Sequence, residues 1–115
     1  DAVMLRANSH NRLLELADFS TIPVINGLTD RSHPCQIMAD LLTLEEKTGS
    51  IAGQTVAWVG DANNVCFSWM QAAKLFGFTF RLACPQELAP RAAMLEHFSP
   101  AVECLDSPEQ AVESA

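Results

Sequence analysis

Apolar positions along the chain fall into two rhythms, short continuous or alternating runs and stripes at helical spacing. Ala2-Val3-Met4-Leu5 and Ile22-Pro23-Val24-Ile25 read as short strands. Between them Ser9 stands as the cap of a helix whose apolar stripe is Leu13, Leu16 and Ala17. A polar stretch from Asn26 to His33 follows, and Pro34 then opens a helix to about Thr48, ended by Gly49. Ile37, Leu41 and Leu44 share one face of it, Met38 and Leu42 widen the stripe, and Glu45, Glu46 and Lys47 stay solvated.

Thr55-Val56-Ala57-Trp58-Val59 is apolar on both faces, as a central parallel strand would be. Gly60-Asp61-Ala62-Asn63-Asn64 turns into a helix carrying Val65, Trp69, Ala72 and Phe76, which Gly77 closes. Phe78, Phe80, Leu82 and Cys84 alternate along the next strand, Arg91 to Phe98 reads as a helix, and Val102 to Leu105 as a further strand. Ser107-Pro108-Glu109-Gln110 is a helix start. The series predicts an α/β fold, an open parallel sheet with helices on both faces, whose ligands would sit beyond the carboxyl ends of the strands. Thr48 to Gln54 is the one stretch that reads as a linker.

With 115 residues, 49% of them hydrophobic, one compact unit is expected. The formal net charge of −7, from 14 acidic and 7 basic residues, opposes attraction to a phosphate backbone, so nucleic acid is not expected as a partner. An anionic ligand would have to be captured locally, by individual arginines and helix N-termini. No apolar run approaches the roughly 20 residues of a membrane span, and the chain reads as cytoplasmic. Cys35, Cys66, Cys84 and Cys104 lack the close pairing of a zinc knuckle or a redox motif, and reduced thiols are expected.

The candidate chemistry gathers where loops open helices. Proline at the first helical position puts His33 at the cap and Gln36 in the first turn, beside free N–H groups and the positive dipole end, which suits a small anionic or carbonyl ligand. The same residues could equally be a plain cap with Gln36 completing a capping box. Cys35 between them could act as a thiolate nucleophile or be an inert thiol. At the second helix start only one glycine of a dinucleotide fingerprint is present and Asp61 carries the wrong charge for a pyrophosphate. Asn63 and Asn64 could bind an amino-acid ligand, since amides both donate and accept, or cap the helix. Arg6 ends the first strand, where it could polarise a carbonyl or remain a surface arginine. Trp58, Trp69 and the six Phe residues read as packing, and His10 and His97 as surface histidines.

Together, Asp1-Ala2-Val3-Met4-Leu5-Arg6, Pro23-Val24-Ile25-Asn26-Gly27-Leu28-Thr29-Asp30, His33-Pro34-Cys35-Gln36 and Trp58-Val59-Gly60-Asp61-Ala62-Asn63-Asn64 resemble the middle of the ornithine carbamoyltransferases. His-Pro-x-Gln is shared by the wider carbamoyltransferase family, and Gly-Asp-x-Asn-Asn is more typical of its ornithine branch. The resemblance implies carbamoyl phosphate and ornithine as ligands, with Arg6 and His33 on the carbamoyl oxygen, Gln36 on the carbamoyl nitrogen, and Asn64 on the amino-acid end of ornithine. It implies no cofactor or metal, and a homo-oligomer.

By the same resemblance, residues 1–48 are the end of a carbamoyl-phosphate domain with its connecting helix, and residues 49–115 the start of a Rossmann-like ornithine domain. The family's Ser-Thr-Arg-Thr-Arg phosphate loop and its Ser-Met-Gly and His-Cys-Leu-Pro motifs are not among these residues. The chain therefore reads as an incomplete portion, expected to be inactive alone, with apolar strand edges covered by a second copy. A non-catalytic α/β interaction module or gene remnant, and a carbamoyltransferase for another amine such as putrescine, are the alternatives.

Overall fold

The computed structural model describes all 115 residues. Strand β1 (Val3–Arg6) leads through helix α1 (His10–Phe19) to β2 (Val24–Leu28), and the two strands pair in parallel. Helix α2 (Pro34–Thr48) then carries the chain to β3 (Thr55–Val59), α3 (Asn64–Phe76), β4 (Thr79–Ala83), α4 (Ala92–Phe98), β5 (Val102–Leu105) and α5 (Pro108–Val112). The last three strands form a second parallel sheet, ordered β3-β4-β5. The open parallel arrangement expected from the strand series is present as two sheets, one before α2 and one after it.

Alternation along β4 decides the layers of the second sheet. Phe80 and Leu82 are wholly buried and face α3, where Trp69 stacks on Phe80 with ring centroids 6.2 Å apart. Arg81 points the other way and donates through Nη1 to the Glu113 carbonyl at 2.6 Å, at the end of α5. Helices therefore cover both faces of this sheet. Ile37 and Leu41 of α2, with Ile51, join Met70, Ala73 and Phe80 in one apolar cluster, so a single core spans the second sheet and the helix that precedes it.

Two expectations about apolar positions are corrected. Met38 and Leu42 lie outside the buried stripe of α2, 53% and 58% exposed, because the packed side of the helix runs through Ile37, Leu41 and the partly buried Leu44. Phe19, at the end of α1, is 89% exposed and Phe76 also reaches solvent, so not every Phe is packing. The connecting stretch from Thr48 to Gln54 is anchored to the second sheet: Ile51 is buried, Gly53 N–H donates to Gly77 O at 2.8 Å, and Thr79 N–H donates to Gln54 O at 2.9 Å.

The first sheet carries one irregularity. Pairing runs Val3↔Val24, Met4↔Ile25 and Leu5↔Asn26, then skips Gly27 so that Arg6 faces Leu28. A Cβ on Gly27 would lie 3.0 Å from Met4 Cγ and 3.1 Å from Leu5 O, so only glycine lets the backbones approach at this bulge. Met4 and Ile25 leave an apolar strip on this sheet uncovered within the chain.

Candidate functional site

The loop between β2 and α2 is held by Thr29, a fully buried residue at its start. Thr29 N–H donates to Ser32 O at 2.9 Å, while Thr29 Oγ1 accepts from Arg31 N–H and Ser32 N–H, each at 3.3 Å. His10 Nδ1 lies 3.0 Å from the same hydroxyl, and His10 N–H donates to Asp30 Oδ1 at 2.9 Å. The start of α1 is thus tied to this loop through Asp30, in place of a side-chain cap from Ser9. His10 is a half-buried structural residue, which corrects its reading as a surface histidine.

His33 closes the loop and caps α2. Its Nδ1 accepts the Gln36 N–H at 3.4 Å. A ring nitrogen that accepts carries no proton, so the neutral ring bears its proton on Nε2, which is left as a donor at the helix N-terminus. The backbone N–H of His33 donates to Ser68 Oγ at 2.8 Å, so the reciprocal half of a capping box is not formed. The Gln36 side chain instead donates through Nε2 to Asp40 Oδ1 at 2.8 Å, one turn along the exposed face.

Cys35 Sγ donates to Asn26 O at 3.3 Å, a structural contact that fixes the thiol against β2. Asn26 Nδ2 donates to Ser32 Oγ at 2.9 Å, while its Oδ1 is buried without a partner within the chain. Arg6 is exposed at the carboxyl end of β1, opposite Leu28, the residue that leads into this loop.

The two asparagines at the start of α3 divide the work. Asn63 is the cap: its Oδ1 accepts from Val65 N–H at 3.0 Å and Cys66 N–H at 3.1 Å. Asn64 is thereby free to reach back, and its Nδ2 donates to Thr29 O at 2.7 Å. Ser68 Oγ, which receives the His33 N–H, donates to Asn64 O at 3.0 Å. One hydroxyl therefore links His33 to Asn64 and seals α3 onto the β2–α2 loop.

The structure thus brings His33 and Asn64 together through Ser68, sets Gln36 on the outer face of α2, and leaves Arg6 at the neighbouring strand end. Thr29, Ser32 and His10 were missed from the sequence, although Thr-Asp-x-Ser is the kind of run whose hydroxyls bond the backbone two or three residues on. Ser68 carried no signal, since a serine inside a helix is ordinarily solvated. Below the site, burial pushes the Cys66 thiol from its ordinary 9.0 up to about 12, with smaller contributions from Cys84 and Asp61.

Two small parallel sheets with helices, tied together by the hydrogen bonds at the starts of α2 and α3, define an α/β protein of two units. The chain belongs to the aspartate/ornithine carbamoyltransferase family. The family's carbamoyl-P binding domain matches residues 1–46 and its Asp/Orn binding domain residues 52–115.

Among curated relatives, the ornithine carbamoyltransferase of Rhodopseudomonas palustris is 62% identical over 94 residues, covering 82% of this chain and 30% of the relative. That of Acinetobacter baylyi is 48% identical over 115 residues, covering all of this chain and 38% of the relative. The crystal structure of ornithine carbamoyltransferase from Burkholderia thailandensis superimposes with a TM-score of 0.95 at 40% identity, over 100% of this chain and 40% of that one. The enzyme from Pyrococcus furiosus gives 0.90 at 39% identity, over 100% of this chain and 39% of that one. The chain therefore spans well under half the length of the relatives it matches.

Proposed function

We propose that the chain supplies the central part of an ornithine carbamoyltransferase active site. In that reaction the uncharged side-chain amine of ornithine attacks the carbonyl carbon of carbamoyl phosphate. The carbonyl π pair moves to oxygen, and collapse of the tetrahedral intermediate breaks the bond to the phosphate oxygen, giving citrulline, phosphate and a proton from the amine. Arg6 and the Nε2–H of His33 hold the carbonyl oxygen as charge develops there, and the N-terminal dipole of α2 adds to the same effect. Gln36 holds the carbamoyl nitrogen, and Asn64 addresses the amino-acid end of ornithine through its Oδ1.

Residues 1–48 then act as the end of the carbamoyl-phosphate domain with its connecting helix, and residues 49–115 as the start of the ornithine domain. The uncovered strip with Met4 and Ile25 supports assembly with further copies, and four free thiols support a cytoplasmic setting. Turnover belongs to the longer protein, because a phosphate-clamping loop is not among these residues.

The observation that carries this reading is the His33 cap, which leaves one oriented donor at a helix N-terminus and is linked through Ser68 to Asn64. Titrating the isotope-labelled chain with millimolar carbamoyl phosphate tests it by amide and histidine-ring NMR. Shifts centred on Arg6, His33 and Gln36, lost in His33→Ala, are expected. Shifts absent from all three would overturn the assignment, and citrulline formation by the chain at ordinary enzyme rates would overturn its incompleteness.

A further inference from the structure

Gln36 stands in the first turn of α2 with its backbone N–H on His33 Nδ1, so its side chain leaves the helix beside the cap. An amide side chain has two ends of nearly the same size, and a half-turn about its last bond exchanges an acceptor for two donors at little steric cost. Which end it offers is decided by what holds the other. Asp40, one turn further along, decides it here: Gln36 Nε2 donates to Asp40 Oδ1 at 2.8 Å. A carboxylate only accepts, so the amide nitrogen must face it, and Oε1 is the end left without a partner in the chain.

Asp40 has no competing charge partner. The only ion pair in the chain joins Arg81 to Glu103, so no cation draws the Asp40 carboxylate away from the amide. The two residues are four apart on one helix, a spacing that keeps their side chains adjacent for as long as α2 is formed.

The resulting polarity matters to a carbamoyl group, whose carbonyl oxygen accepts hydrogen bonds and whose NH2 donates them. Were Gln36 turned the other way, its own NH2 would meet the carbamoyl NH2, donor against donor. We propose that Asp40 is a positioning residue for carbamoyl phosphate: it acts through Gln36, holding Oε1 toward the carbamoyl nitrogen. The pair thereby distinguishes a carbamoyl from an acyl phosphate, because a methyl group in place of the NH2 gives Oε1 nothing to accept. The inference rests on the assignment of His33 and Gln36 to carbamoyl phosphate made above and adds to it the group that sets the polarity of Gln36.

Acetyl phosphate has the same carbonyl and phosphate with CH3 for NH2, so titrating the 115-residue chain with each phosphate, followed by NMR, isolates this one contact. Asp40→Ala is expected to weaken carbamoyl phosphate binding by about threefold to tenfold and to change acetyl phosphate binding by less than about twofold. Asp40→Lys donates to Oε1 and turns Nε2 outward, so it should lower the preference for the carbamoyl ester further, whatever its added charge does to both ligands. Asp40→Glu should restore most of the preference. In the unliganded chain the Gln36 side-chain amide resonances should move in Asp40→Ala while far-ultraviolet circular dichroism stays unchanged. An equal loss of affinity for both phosphates would make Asp40 a residue of helix stability alone and overturn the inference. An unchanged preference, or Gln36 amide resonances indifferent to Asp40→Ala, would overturn it as well, leaving the carbamoyl phosphate assignment standing. If neither phosphate shifts His33 in the parent chain, that assignment itself fails and this inference falls with it.

Discussion

Asn64 Nδ2 donates to the backbone carbonyl of Thr29 at 2.7 Å, joining the first turn of α3 to a loop 35 positions earlier. The bond needs a donor facing a carbonyl. Asn64→Asp puts an acceptor against an acceptor, with a charge as well, and is expected to destabilise more than Asn64→Ala. The alanine variant should lower stability by about 1 kcal/mol and the aspartate by about 2 kcal/mol or more. Calorimetric melting of both variants checks the order, and a reversed order would mean that the side chain faces solvent.

Ser68 is the only partner of the His33 N–H. Ser68→Ala leaves that donor unpaired in a partly buried position and is expected to cost about 1–3 kcal/mol by urea unfolding. It should also weaken carbamoyl phosphate binding without removing any group proposed to touch it. A variant that loses stability while keeping full affinity would restrict Ser68 to a structural role.

Gly27→Ala brings a Cβ to 3.0 Å from Met4 Cγ and 3.1 Å from Leu5 O. The Met4 side chain can move, but the Leu5 carbonyl belongs to the strand backbone. A loss of about 1–3 kcal/mol is expected, with partial rescue in the double variant with Met4→Ala. Complete rescue would show that the bulge tolerates a side chain.

The Cys66 thiol is held protonated far above its ordinary range, from 9.0 up to about 12, by burial first and by Cys84 and Asp61 next. Its folded pKa is raised, so its contribution is complete below about pH 9 and is lost as pH rises toward 12. In that window the unfolded chain releases a proton that the folded chain retains, and the unfolding constant gains up to about tenfold per pH unit from this group. Cys66→Ala should flatten the alkaline limb of a stability–pH profile, and iodoacetamide should label Cys104 before Cys66 in the native chain. Early labelling of Cys66 would contradict the burial.

Much of this arrangement was legible in the chain. The helix from Pro34 to Thr48 and the strand from Val102 to Leu105 match their expected bounds, because proline, glycine and alternation act locally. A division into two sheets came only from the resemblance and from no local pattern, since nothing in the α2 sequence says that Ile37 and Leu41 pack on α3. His33 and Gln36 were picked out by their spacing, yet the hydroxyl that fixes His33 lies 35 positions away in Ser68, while the Gln36 side chain is held by Asp40 one turn on. His10 was read as isolated because its partner, Thr29, is adjacent only in space.

The placement of Ile37 and Leu41 bears on how the molecule can move. Because both side chains are embedded beside Met70 and Ala73, α2 is mechanically part of the second lobe, while its cap at His33 still belongs to the loop from the first. Any rocking of one sheet against the other must then be absorbed by the few residues between Asn26 and His33. The short segment that presents His33 would then serve as the fulcrum of the protein, with Thr29 and His33 in it gripped from α3.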